Sequence, residues 1–342
     1  MWALSNLLRT SNQPDSTTPA VELRLVRRGE IDDALRLVLA GPNGLASDEQ
    51  VLDFLSHAVA RGADINALWV ARDQRTLHWA LLPVASPGRT MLLVSPTRLL
   101  PGTPVESVAR LITAVCADYA LRGTKLVQAL LDPDEHSVRE IYKSCGFVEL
   151  AELLYLHRAV GDSVVEPDLP AGFSVETYSA ANHAEFSAVI LASYRGSLDC
   201  PGLNGVRDVE DILDGHKSTG IFDPRLWFLL REQGVARGAL LLNRTAHDES
   251  LELVYLGLSP ETRGRGAGDA LMKLAIAGVR RTGRSLLSLA VDAKNQPALR
   301  LYFRHGMKRM GNRLALLRDL SAKLHPAEGA SAGLSTNLST VR

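Results

Sequence analysis

The segment Arg263-Gly264-Arg265-Gly266-Ala267-Gly268 concentrates the residue types that hold an anion. It lies between two apolar runs, "LELVYLGLSP" before it and "LMKLAIAGV" after it. A helix opening at such a turn offers unpaired N–H groups and a partial positive charge. Glycines let the backbone approach an anion closely, and arginine matches phosphate geometry. The chemistry read here is pyrophosphate binding by Arg263, Gly264, Arg265, Gly266, Ala267 and Gly268. Spacing excludes two common solutions. A dinucleotide fingerprint needs a third glycine where this chain has Asp269 or Leu271, and the Gly-Lys-Ser/Thr of a P-loop is absent.

Proton-transfer groups stand on either side of the turn. Glu252 is a carboxylate on an otherwise apolar strand, sharing an alternating face with Val254, Leu256 and Leu258, and so reads as a general base. Glu249 is the spare. Tyr302 falls on the helix "QPALRLYFRHG", whose start is marked by Asn295 and Pro297. Cys200 has no His/Asp context that would make it a nucleophile. The acidic run Asp208, Glu210, Asp211 and Asp214 reads as a solvated helix face, or as a wall favouring a cationic amine.

These residues need a scaffold, and the chain supplies its plan twice. "LWVARD", "LHWALLPVA" and "TMLLVSP" read as strands, followed by an amphipathic helix over "VESVARLITAVCADYALRG", a strand "KLVQALL", a helix and a strand "ELAELLYLHR". "LWFLLRE", "ARGALLLNR", "LELVYLGLSP", helix 267–282, "SLLSLAV", a helix and "RLALLRD" repeat that order. Ser95-Pro96 answers Ser259-Pro260, Tyr142 answers Tyr302, and Gly146 answers Gly306. The expected organisation is a disordered lead-in over 1–20, a first domain over 21–160, a linker over 161–172, a second domain over 173–320 and a disordered tail over 321–342.

The turn Arg263-x-x-Gly266-x-Gly268, followed by "SLLSLAVDAKNQPALRLYFRHGM", resembles the acetyl-CoA signature and second motif of the GCN5-related N-acetyltransferases. The likeness covers about residues 225–318. It implies an α/β (α+β) fold of two tandem domains, each with a mixed, mostly antiparallel sheet flanked by helices. It implies acetyl-CoA as co-substrate, direct acyl transfer to a primary amine of a small molecule, and no metal. Tyr302 falls where the family places its general acid, Asn295 where a side chain meets the CoA arm, and Leu256 and Leu258 where main-chain groups meet pantetheine. In the first half "RLLPGTP" replaces the glycine turn, with Pro101 and Thr103 at the positions of Gly266 and Gly268. Proline has no N–H to offer. A degenerate first domain and an active second one resemble the mycothiol synthases, in which a base glutamate stands where Glu252 does. An acyl-CoA sensor without turnover and a protein acetyltransferase are the alternative readings.

The rest of the composition sets bounds. The chain has 342 residues, and 38 basic against 38 acidic ones give no global field for nucleic acid. Apolar runs are too short for a membrane helix, so no membrane partner is expected. Cys116, Cys145 and Cys200 are an odd set without metal or CxxC spacing, consistent with a cytoplasmic location. The sequence does not name the acceptor or the oligomeric state.

Overall fold

The computed structural model describes residues 20–41, 44–60, 63–161, 168–245 and 249–321. The expected lead-in, most of the expected tail and the centre of the linker lie outside the described residues. The first half runs β1 (Glu22–Leu25), α1 (Ile31–Val38), α2 (Asp48–Ala60), β2 (Trp69–Arg72), β3 (Leu77–Ser86), β4 (Thr90–Val94), α3 (Val105–Leu121), β5 (Leu126–Leu131), α4 (His136–Ser144) and β6 (Val148–Ala159). The second half repeats it as β7 (Phe173–Thr177), α5 (His183–Tyr194), α6 (Val209–Ser218), β8 (Trp227–Glu232), β9 (Val235–Arg244), β10 (Ser250–Leu258), α7 (Ala267–Arg281), β11 (Leu286–Asp292), α8 (Gln296–Arg304) and β12 (Lys308–Asp319). The order of strands and helices is the same in both.

Hydrogen bonding joins all the strands into one sheet in the order β1-β2-β3-β4-β5-β12-β6-β11-β10-β9-β8-β7. Among the described residues, only β4–β5 and β10–β11 are parallel pairs. The centre of that order is a strand exchange. β6 belongs to the first half in sequence but pairs with β11 of the second, from Leu286↔Ala159 to Asp292↔Leu153. β12 returns the exchange by pairing with β5, from Leu314↔Leu131 to Asp319↔Leu126. The side chains follow the pairing. Leu154 and Leu156 of β6 join the core under α7 and α8 with Leu271 and Leu299. Leu314 and Leu316 of β12 join the core under α3 and α4 with Leu111 and Ile141. A division of the chain near residue 160 therefore cuts across both cores.

That exchange has a measurable consequence. Residues 168–321 produced alone would lack β6 and expose one edge of β11, while residues 20–161 alone would lack β12. Unpaired edges and uncovered apolar faces invite aggregation. Each half made alone should fail to unfold cooperatively, whereas the two halves co-expressed should purify together. A second half that is monomeric and melts cooperatively by itself would refute this.

The halves also meet through side chains. Arg89, at the β3–β4 hairpin, pairs with Asp208 at 2.6 Å and Asp211 at 2.5 Å, and Lys125 reaches Asp208 at 3.4 Å. Glu210 pairs with His183 at 2.9 Å, and Asp214 lies 3.8 Å from Lys217. Asp208, Glu210 and Asp214 stay exposed, as a solvated helix face would be, while Asp211 is largely covered by its pair with Arg89. The run ties α6 to the first half and to its own neighbours.

Candidate active site

The site begins where two parallel strands part. β10 pairs with β11 from Ser250↔Leu286 to Glu252↔Ser288, and the pairing goes no further. On its other side β10 stays bonded to β9, with a bulge between Leu253 and Tyr255. The bulge changes which residues share a face. Val254 and Tyr255 both pack toward α5 and α6, while Leu256 and Leu258 turn to the α7 side with Leu253. The expected single face of Glu252, Val254, Leu256 and Leu258 is thereby corrected. The main-chain orientation of the leucines follows from the pairing with β9. Ser259 N donates to Arg237 O at 2.8 Å, so Gly257 also faces β9. By alternation, Leu256 and Leu258 aim their main-chain groups into the gap left by β11.

The glycine turn closes one end of that gap. Gly264 and Gly266 have φ of 73° and 82°, conformations that residues with a Cβ rarely adopt. Gly268 lies in the first turn of α7, where a Cβ would meet Leu301 Cδ2 at 3.3 Å. The helix has no side-chain cap, and its first bond to the turn is Ala270 N to Gly266 O at 3.2 Å. The N–H groups of Gly264, Arg265, Gly266, Ala267, Gly268 and Asp269 have no hydrogen-bond partner among the described residues. A run of unpaired N–H groups at a helix start is an anion cradle.

The two arginines of the turn divide their work. Arg263 does not hold its guanidinium out to an anion. It donates to Ser193 O at 2.6 Å, Gly196 O at 3.1 Å and Leu258 O at 3.2 Å, pinning the end of α5 to β10 and the turn. Arg265 pairs with Glu232 at 2.5 Å and lies over the Phe173 ring. The cradle is therefore made of backbone, with Arg263 as its brace.

Between the strands and α8 lies a cleft of about 540 Å³, lined by residues that include Ser193, Tyr194, Asp199, Tyr255, Gly266, Gly268, Asn295 and Tyr302. Tyr302 is 6% exposed, and burial, then the Asp199 charge, keep its phenol protonated well above neutral pH. Its hydroxyl has no hydrogen-bond partner among the described residues. Asn295 caps α8, its Oδ1 accepting from Ala298 N at 3.3 Å. Tyr194 is pushed up to about 12, mainly by burial. Behind Tyr255 sits His216, buried and lowered to about 4, with ring centroids 5.4 Å apart. Burial, with the Asp199 and Asp292 charges, pushes the Cys200 thiol up to about 12, which makes it a poor nucleophile.

Glu252 is not among the residues lining this cleft. It stands where the strands part, on the face opposite α7, close enough to Tyr155 of β6 to raise that phenol's pKa together with burial. Sequence reading missed Asp199, the neighbour of Cys200. A loop has no periodicity, and nothing local marked that carboxylate as a wall of the cleft. It missed Tyr194 and Tyr255 because both carry the ordinary pattern of core residues.

At the matching turn of the first half Pro101 has no N–H, and Thr103 N is taken by Leu100 O at 3.1 Å. Thr97 N and Oγ1 are bonded to Ala40 O at 3.2 and 2.9 Å. Leu99 and Leu100 pack against the two cores of that half. Tyr142 is wholly buried, edge-on to Phe147 with centroids 5.0 Å apart. Among the described residues no His, Cys, Asp and Glu cluster could hold a metal ion, and no helix is long and apolar enough to cross a membrane.

The parted strands, backbone cradle and buried tyrosine can be set beside known proteins. The model of the acetyltransferase (GNAT) family matches residues 203–307. The mycothiol acetyltransferase of Streptomyces coelicolor is 30% identical over 172 residues, covering 50% of this chain and 54% of that protein. The mycothiol acetyltransferase of Thermobispora bispora is 28% identical over 203 residues, covering 55% and 68%. The match to the Streptomyces protein thus spans about half its length. Among solved structures, a GCN5-related N-acetyltransferase from Sphaerobacter thermophilus superposes with a TM-score of 0.59 at 16% identity, covering 88% of this chain and 96% of that one. A fungal region described as a GCN5-related glucosamine N-acetyltransferase gives 0.58 at 16% identity, over 88% and 38%. The structures bear on the fold, through both halves of the chain, and the sequence matches bear on the family. Residues 203–307 are thus a match to the acetyltransferase (GNAT) family, within a chain whose two halves together share the fold of GCN5-related N-acetyltransferases.

Proposed function

We propose that the chain is an acetyl-CoA-dependent N-acetyltransferase, acting by direct transfer to a primary amine of a small molecule in its second half. The observation that carries this reading is the cradle of free N–H groups from Gly264 to Asp269, opening into a cleft whose far wall holds Tyr302. The cradle suits the pyrophosphate of CoA, and the main chain of Leu256 and Leu258 suits the amides of its arm. Asn295, with Oδ1 held by Ala298 N, has its amide nitrogen to offer the same arm.

In the reaction the amine nitrogen forms a bond to the thioester carbon, the C–S bond breaks, and the sulfur leaves as a thiolate. Three protein tasks follow. A base must take the amine's proton, donors must meet the developing oxyanion, and an acid must protonate the thiolate. Tyr302 serves as the acid, because its phenol stays protonated at neutral pH. Glu252 serves as the base and works through water, since it stands behind the cleft wall. The main-chain N–H groups of the parted strand are the donors nearest the expected thioester.

The first half is proposed as scaffold. Pro101 removes an N–H from its turn, and Leu99 and Leu100 occupy its core, so no second CoA site is expected there. The test is an acceptor screen. Purified protein and acetyl-CoA are mixed with glucosamine, spermidine, amino-acid amides and short peptides, and free thiol is read. Acetylation of a small amine is expected. Tight acetyl-CoA binding with no turnover on any of these would favour the sensor reading instead, and turnover confined to peptides would favour a protein acetyltransferase.

A further inference from the structure

We propose that Asp199 is the group that binds the acceptor's ammonium, which would make this cleft selective for cationic amines. The proposal rests on the acetyltransferase reading and extends it to the acceptor. Among the carboxylates of the second half, Asp208, Asp211, Asp214, Glu261 and Asp269 all have lysine or arginine partners within the protein. Asp199 lines the cleft and has no cationic partner among the described residues.

The loop carrying it is held in place. Asp292 N donates to Asp199 Oδ1 at 3.2 Å, and Cys200 N donates to Asp292 Oδ2 at 3.2 Å. This reciprocal clasp fastens the loop to the end of β11, and Cys200 takes a φ of 44° to complete it. Around the carboxylate stand the phenols of Tyr194, Tyr255 and Tyr302, the Cys200 thiol and the Asp292 carboxylate, with Arg207 facing Tyr194. Of the arginines that line the cleft, Arg263 is held by backbone carbonyls and Arg304 by Asp269, while Arg300 lies on the exposed α8 face of the lining and has no ion pair with Asp199.

Burial, then the Asp292 charge, raise the pKa of Asp199, so the ionised form is short of compensation. An arriving ammonium supplies it. The aromatic rings that share the wall add a surface that favours a cation over a neutral group. Primary amines are mostly protonated at neutral pH, so the cleft must first capture the cation before Glu252 removes its proton.

The experiment compares Asp199→Asn with Asp199→Glu and Glu252→Gln, using the fastest amine of the screen. Asn keeps an oxygen for Asp292 N, so the clasp should survive. The acceptor KM should rise roughly 10- to 100-fold in Asp199→Asn, the scale of losing a charged hydrogen bond. Calorimetric acetyl-CoA affinity should not change, and Asp199→Glu should recover part of the loss. Because Asp199 must be ionised, kcat/KM should fall on its acid side at a pH above the ordinary carboxylate range. That limb should vanish in Asp199→Asn, whereas Glu252→Gln should act on kcat. An active wild type whose Asp199→Asn variant keeps its KM and its acid limb overturns the proposal. A wild type that acetylates none of the amines overturns the functional reading itself.

Discussion

Tyr302→Phe is expected to lower kcat by about 10²-fold or more, the usual scale of acid–base assistance, while acetyl-CoA binding stays as it is. The substitution removes one hydroxyl from a side chain that is 6% exposed and packed among Leu271, Leu299 and Met307. That hydroxyl holds no hydrogen bond among the described residues, so its loss strands no partner in the core. Thermal stability should therefore be unchanged, and the whole effect should fall on turnover. The natural control is Tyr142→Phe in the first half. Tyr142 is wholly buried beside Phe147 and faces no cradle, so turnover should not respond. Steady-state kinetics and melting curves on both variants decide the matter. Equal turnover in Tyr302→Phe and wild type would return Tyr302 to a packing role.

Gly266→Val should abolish measurable acetyl-CoA binding, a loss of at least about 10²-fold, without unfolding the chain. Gly266 precedes α7 at a φ of 82°, which a β-branched residue cannot adopt without strain. The turn would have to move, and its N–H groups from Gly264 to Asp269 would no longer converge on one anion. Each lost charge-assisted bond weakens phosphate binding further. The helix itself is anchored by Leu271, Leu274 and Val279 in the core, so circular dichroism should look native. Pro101→Gly, at the matching position of the first half, should change nothing. Calorimetry on wild type should give one site per chain. Two equal sites would contradict the scaffold role of the first half, and unaltered affinity in Gly266→Val would contradict the cradle.

Much of the candidate site is legible in residues close together in the chain. The repeated order of elements follows from hydrophobic period and turn residues. Gly264 and Gly266 are needed by local φ, and α7 begins where glycine and alanine allow it. Tyr302 sits one helix after a strand, and the short connection between β11 and α8 carries it to the cleft. These features rest on backbone conformation and short loops, which neighbouring residues dictate.

Other features depend on partners far along the chain. β6 and β12 have similar apolar patterns, and either could lie beside β5 or β11. Only the assembled cores under the two helix pairs decide that they exchange. The bulge at Val254 depends on how β9 and β11 grip β10 from opposite sides, and it moves Leu256 and Leu258 off the face of Glu252. Arg263 is a phosphate ligand by composition, yet it becomes a brace because the end of α5 brings Ser193 O and Gly196 O within its reach. Asp199 becomes a wall of the cleft because Asp292, distant in sequence, clasps its loop. Local sequence determines what a segment offers in conformation and chemistry. Which groups meet is settled by non-local packing, where many weak contacts are satisfied together and no single residue carries the choice.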